Sequence, residues 1–177
     1  MPGSWFCDVI AKASCSGQIQ PMRHLVVVLS LLFATPALAQ FWGHYDNARF
    51  GYGIDVPPGF SGNGESDNGD GQIFYRLEAE QSLTVWGGML LESFEQEVAE
   101  RQANVLAENW SITYQASSPQ WASFSGQRDH RIFYTRLIAL CDGASYAAFT
   151  LEYNIRDLSK TDAVVEGLVR SFVGERC

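Results

Sequence analysis

Apolar residues first settle into a rhythm at Phe50, Tyr52, Ile54 and Val56, alternating with Gly51, Gly53 and Asp55. A period of two builds one apolar face and predicts a strand, which Pro57, Pro58 and Gly59 end. Residues 61–71 read SGNGESDNGDG without one apolar side chain, so a solvated loop is expected there. Ile73, Tyr75 and Leu77 resume the alternation, and residues 83–91 (LTVWGGMLL) predict a third strand after a polar turn at Glu80 and Gln81. Gly87 and Gly88 inside it point to a bulge or a close backbone approach.

The period then changes. Ser93 followed by Gln96 fits a capping box, and Val98, Ala99, Ala103, Val105 and Leu106 share one stripe of a helix over 94–109. Glu95, Glu97, Glu100 and Glu108 take the opposite side, which reads as solvated rather than as an acidic binding surface. Strands are expected over 110–116, 121–125 and 132–140, with turns at 117–119 and 126–131. After the turn Cys141-Asp142-Gly143, Ala147, Phe149, Leu151, Tyr153 and Ile155 alternate with smaller or polar residues. Ser159 with Asp162 then opens a last helix, whose buried stripe is Val164, Val165, Leu168, Val169 and Phe172. Tight turns between successive strands imply an α+β domain: a mostly antiparallel sheet of about six to seven strands covered by two helices.

Ahead of this domain, residues 22–39 begin with Arg23 and His24 and run through ten apolar or small residues from Leu25. They close on Ala37-Leu38-Ala39. This is the form of a secretory signal peptide, too short to span a membrane, with cleavage expected between Ala39 and Gln40. Residues 1–21 read as an over-extended start, expected to stay outside the fold. The rival reading, a functional leader using Cys7 and Cys15, has no CxxC pair or histidine cluster beside it. The mature chain is then one domain over 40–177, periplasmic or secreted, with no stable membrane insertion after cleavage.

Removing the leader changes the charge picture. Of 12 basic and 20 acidic residues, 10 and 19 remain, a net charge of −9, with Lys160 the only lysine. Nucleic acid is excluded as a partner, because phosphate binding needs clustered cations and the arginines are scattered along the sequence. Two cysteines remain, Cys141 and Cys177, and in an oxidising compartment they are expected to form one disulfide closing a loop of about 37 residues. The alternative, a catalytic Cys141 thiolate, has no histidine near it in sequence.

Several motifs carry a resemblance. The opening FGYGIDVPPGF (50–60) and the order of elements resemble the PsbP/Mog1-like superfamily, which implies an αβα sandwich. NGDGQ (68–72), LTVWGG (83–88), SG (125–126) with RIFY (131–134), Cys141 and VVEGLVRSF (164–172) resemble small exported proteobacterial proteins of unassigned function. Asn154 departs from that pattern, standing where a Tyr-Pro pair would place proline. The resemblance brings no catalytic role with it.

Candidate chemistry is thin. Asn63, Glu65, Asp67 and Asp70 offer oxygen ligands for a weak metal site, with Asn68 between them, but no EF-hand register places acids where calcium needs them. A solvated turn explains the same letters. Ser125, Asp129 and His130 carry the letters of a hydrolase triad within six residues, too close in a hairpin for its geometry. No cofactor is implied, and His44 and His130 lack zinc-ligand spacing. Phe41, Trp42, Tyr45, Phe60, Trp86, Trp110 and Trp121 are an aromatic surplus, with Trp86 and Trp110 assigned to the core and Phe41 and Trp42 left open. The expected function is a non-enzymatic accessory module contacting an envelope protein or cell-wall component. The alternative is a small-molecule or weak ion-binding periplasmic domain, and a concave pocket with convergent polar groups would favour it.

Overall fold

The computed structural model describes residues 41–175. The 1–21 start, the 22–39 signal peptide with its Ala39/Gln40 cleavage point, and Cys177 lie outside the described residues. The first five strands are β1 (Gly43–Asn47), β2 (Tyr52–Val56), β3 (Ser61–Glu65), β4 (Gly71–Arg76) and β5 (Gln81–Met89). Helix α1 (Phe94–Ala107) leads to β6 (Ser111–Ser117), β7 (Trp121–Arg128), β8 (Arg131–Ala139) and β9 (Ser145–Asn154). Helix α2 (Leu158–Ser171) and a two-residue β10 (Val173–Gly174) close the order.

Seven strands form one sheet in the order β3-β4-β5-β9-β8-β7-β6, and every neighbouring pair is antiparallel. The strand predicted first is not in it. β2 instead pairs with β1 and β10 in a three-stranded sheet. β1 and β10 have no sequence signature: β1 alternates with polar and glycine residues, and two residues are too few to show a period.

The expected loop at 61–71 also needs correcting. Its first half is β3, paired to β4 through a register shift between Gly62 and Glu65. All five β3 residues are exposed, so the strand is held by its backbone pairing and the Glu65 side chain's bond to Tyr45 and has no buried face to write a period into the sequence. The following approach of β4 to β5 requires Gly71, where a Cβ would overlap the Val85 carbonyl.

Strand β9 is central and buried on both sides, which is why both its parities are apolar or small. Leu83, Val85, Phe149, Leu151 and Tyr153 pack beneath Ile54, Val56, Leu168 and Phe172. On the other side Phe124, Phe133, Leu137, Tyr146 and Ala148 meet Phe94, Val98 and Trp110. A helix therefore covers each face of the antiparallel sheet. That is the sandwich the sequence implied.

Both helices differ in detail from expectation. Ser93 Oγ accepts from the Gln96 N–H at 3.2 Å, as the capping box requires. The inward line of α1, however, is Phe94, Val98, Arg101 and Val105, while Ala99, Ala103 and Leu106 face solvent. Arg101 lies 5.7 Å from the ring centroids of both Trp86 and Tyr146, and its Nε donates to Glu97 at 2.6 Å. Glu97, assigned to the solvated side, keeps only 10% of its side chain exposed. In α2 the Ser159/Asp162 opening is not made. The helix starts after Asp157, whose carbonyl accepts from Thr161 Oγ1 at 2.9 Å. Asn154 caps the short turn before it, accepting from the Arg156 N–H at 3.1 Å, a bond proline could not supply.

Candidate functional site

The α2 sequence places Asp157, Lys160, Val164, Gly167 and Arg170 at helical spacing along one exposed side, above buried Thr161 and Leu168. Opposite them run Pro57, Pro58 and Phe60, which leave the end of β2, and Arg76 at the end of β4. The Asp55 N–H donates to Ser171 Oγ at 3.0 Å and fixes β2 against the helix. Between these walls lies an open groove of about 930 Å³. Trp42 closes it at one point: a Cβ on Gly167 would overlap the indole, so this helical glycine exists to seat the ring.

Charge in the groove runs against the rest of the molecule. Arg76, Lys160 and Arg170 face Asp55 and Asp157 in its lining. Asp55 is engaged by His44 Nδ1 at 2.7 Å, Asp157 by Arg156 Nε at 3.7 Å, and Arg76 Nε by Glu78 at 3.0 Å. Neither Lys160 nor Arg170 forms an ion pair among the described residues. Both uncommitted charges are therefore positive, on a chain of net −8.

His44 is the nearest approach to catalytic machinery. Its Nδ1 meets Asp55 at 2.7 Å and its Nε2 meets Asp46 at 3.0 Å. The hydrogen bond to Asp55 chiefly raises its pKa above the ordinary 6.5. An imidazole held by carboxylates at both nitrogens is best satisfied as the doubly protonated cation. Both ring nitrogens are thus engaged by carboxylates and neither faces a nucleophilic side chain.

The residues singled out from sequence fall elsewhere. Glu65 Oε1 accepts from Tyr45 Oη at 2.8 Å, and Asp70 accepts from Ser66 Oγ at 2.5 Å and Asn68 Nδ2 at 2.8 Å. Those hydrogen bonds, Ser66 first, lower the Asp70 carboxyl pKa. Asn63 and Asp67 are exposed, and the four do not converge on one point: Glu65 is tied to β1 while Asp70 frames its own turn. Asp129 and His130 form the tip between β7 and β8, whereas Ser125 lies inside β7, paired with Tyr134. No hydrogen bond joins the three among the described residues. Cys141 Sγ lies 3.0 Å from the Glu175 carbonyl oxygen. Trp110 is buried in the core; Trp86 is half-buried at its edge beneath Arg101; Phe41 is 87% exposed.

Sequence reasoning missed the groove. Lys160 was visible as the sole lysine of residues 40–177, and Gly167 as a glycine inside a helix, but nothing in sequence brings them to Trp42 or to Pro57 and Pro58. The aromatic surplus was the usable signal.

No protein-family model matches the chain, and no curated protein matches it in sequence. Solved structures do match its fold. Cyanobacterial PsbP from Synechocystis sp. PCC 6803 superposes with a TM-score of 0.58 at 14% identity, covering 79% of this chain and 96% of that one. The Ran-binding protein Mog1p of Saccharomyces cerevisiae gives 0.55 at 10% identity, covering 77% and 96%. An E65A mutant of Mog1 gives 0.55 at 11% identity, covering 76% and 96%. At such identities the likeness is one of architecture. Seven antiparallel strands between two helices, with the small sheet against one face, give this chain the PsbP/Mog1-like fold.

Proposed function

We propose that this chain is an exported, non-catalytic accessory module of the cell envelope, which holds part of a partner protein in the groove beside α2. The observation that carries the reading is the groove itself. It is long, open and amphipathic, and its uncommitted charges have the opposite sign to the molecule's net charge. An open groove with proline and aromatic walls suits a chain segment laid along it, whereas a small molecule is usually enclosed over most of its surface. The fold supports a binding role by analogy, since one structural neighbour is a Ran-binding protein. The His44 arrangement, with both ring nitrogens engaged by carboxylates, supports the non-catalytic part. Residues 22–39 support export.

Affinity capture from the envelope fraction of the source organism tests it. A partner held by the wild-type chain should be lost with Trp42→Ala, which removes the ring from the groove. Capture that ignores this substitution would count against the groove as the docking surface.

A second reading has one observation in its favour: about 930 Å³ lies within the roughly 300–1,000 Å³ range of ligand pockets. Native mass spectrometry showing one small molecule carried through purification, and released by Trp42→Ala, would replace the first reading with this one.

A further inference from the structure

Along its α2 wall the groove carries an uncommitted cation near each end, while Arg76 in the opposite wall is already held by Glu78. Lys160 stands in the first turn of α2 and Arg170 in the last; Val164, Gly167 and the Trp42 ring lie between them. The facing wall includes Pro57, Pro58 and Phe60 as well as the Glu78-bound Arg76, and proline offers no N–H donor. Against Val164, Gly167, the Trp42 ring and the two prolines a polar group would lose water and meet few donors, which is unfavourable. An apolar group would gain. An occupant with an apolar middle and an anion near each end therefore fits this wall best.

Their separation sets the spacing. Ten helical residues rise about 15 Å, and an extended peptide advances about 3.3 Å per residue. Four to five residues of extended chain cover that span. We propose that the groove binds an extended acidic segment of a partner protein, with carboxylates four positions apart, on one face of the extended chain, and apolar side chains between them. This rests on the interaction-module reading above and gives that site its ligand chemistry.

Charge complementarity argues for this occupant. Asp55, Asp157 and Arg76 are each held by a neighbour, so an incoming ligand meets the two charges that are not, Lys160 and Arg170. Ion pairs at exposed side chains are individually weak and salt-sensitive. Two of them at a fixed spacing supply specificity, and the apolar middle supplies contact area. A small anion would reach one end only. A nucleic acid would present its charge continuously across the apolar stretch between the two cations.

The test uses the purified chain and synthetic peptides in titration calorimetry. The probe is acetyl-Glu-Leu-Phe-Leu-Glu-amide; the controls are the same peptide with both glutamates as glutamine, and a sequence isomer with the glutamates adjacent. The probe should bind at least tenfold tighter than either control. Lys160→Glu with Arg170→Glu should erase that preference, and both sites are exposed, so circular dichroism should show the fold intact. Trp42→Ala should weaken probe and glutamine control alike, while Glu95→Lys on α1 should leave both unchanged. Equal binding of probe and controls would overturn the proposal, as would a preference that survives the double charge reversal. Tighter binding of a muropeptide than of the probe would overturn it in favour of a cell-wall ligand. If an envelope protein is captured through Trp42 while the probe shows no preference, the interaction-module reading stands and the acidic-segment chemistry falls. If capture also fails, both fall.

Discussion

His44 is hydrogen-bonded to Asp55 and Asp46 at its two ring nitrogens, and that has a pH consequence. The hydrogen bond to Asp55 is the main cause of its raised pKa. A group whose folded pKa lies above its unfolded value contributes stability that is fully present below the unfolded pKa and lost as pH rises through the folded one. With the side chain 52% exposed, solvent keeps the contribution small. The imidazole should titrate by NMR with a midpoint above 6.5, moving down in Asp55→Asn. The urea midpoint of the wild type should fall with rising pH across that range, and in His44→Gln this part of the slope should vanish. The turn after β3 invites a second prediction. Asp70 and Glu65 already satisfy protein donors, so calcium would have to displace those hydrogen bonds to gain oxygens. Calorimetry should find no affinity tighter than the roughly millimolar range of weak extracellular sites. Micromolar binding abolished by Asp67→Ala or Asp70→Ala would reverse this. The turn-forming letters of that loop were legible because turns are local. Asn47 was not: it is 2% exposed, and its Nδ2 donates to Tyr45 Oη at 3.1 Å and the Gly69 carbonyl at 2.9 Å, a partner brought close only by folding.

Helix α2 tests whether Trp42 belongs to the groove wall. Glycine inside a helix costs about 1 kcal/mol relative to alanine, so Gly167→Ala would ordinarily stabilise. Here the added methyl meets the indole. The substitution should therefore gain close to that amount only in a Trp42→Ala background, and gain less or destabilise when Trp42 is present. Chemical denaturation of the four variants gives the coupling. Full gain in both backgrounds would mean that the ring does not rest on the helix. Which elements were readable follows from what holds them. Helix α2 and strands β5, β8 and β9 bury an apolar face, and their periods were written plainly. Strand β3 has no buried face and left no period. In α1 the alanines suggested one stripe, but the inward face was decided by Trp86 and Tyr146, which favour the long Arg101 side chain over a small one. A local pattern cannot report a choice made by residues from two distant strands.

The two-sided core made the fold class legible, because helices flanking runs of tightly turned strands must cover an antiparallel sheet. The groove was not legible: its walls come from the start, middle and end of the sequence, and only the assembled sheet brings them together. The same closure brings Cys141 to within 3.0 Å of the Glu175 carbonyl, two residues before Cys177. We propose that Cys141 and Cys177 are bridged. Peptide mapping without reductant should recover them linked, and Cys177→Ser should cost about 3–4 kcal/mol, the loop-entropy value for about 37 residues. Recovery of both as alkylated thiols would refute the bridge. Such a bond persists only where the compartment is oxidising, so it depends on export. Export in turn depends on residues 22–39, where Arg23 and His24, the apolar run and Ala37-Leu38-Ala39 supply each part that a signal peptidase substrate needs. The mature N-terminus should be Gln40, one residue ahead of Phe41 and two ahead of the Trp42 that lines the groove. Mass spectrometry of the protein from the periplasmic or secreted fraction checks it. Recovery with residues 22–39 still attached would remove the basis for both the envelope location and the oxidised cysteines, leaving the groove chemistry to stand on its own geometry.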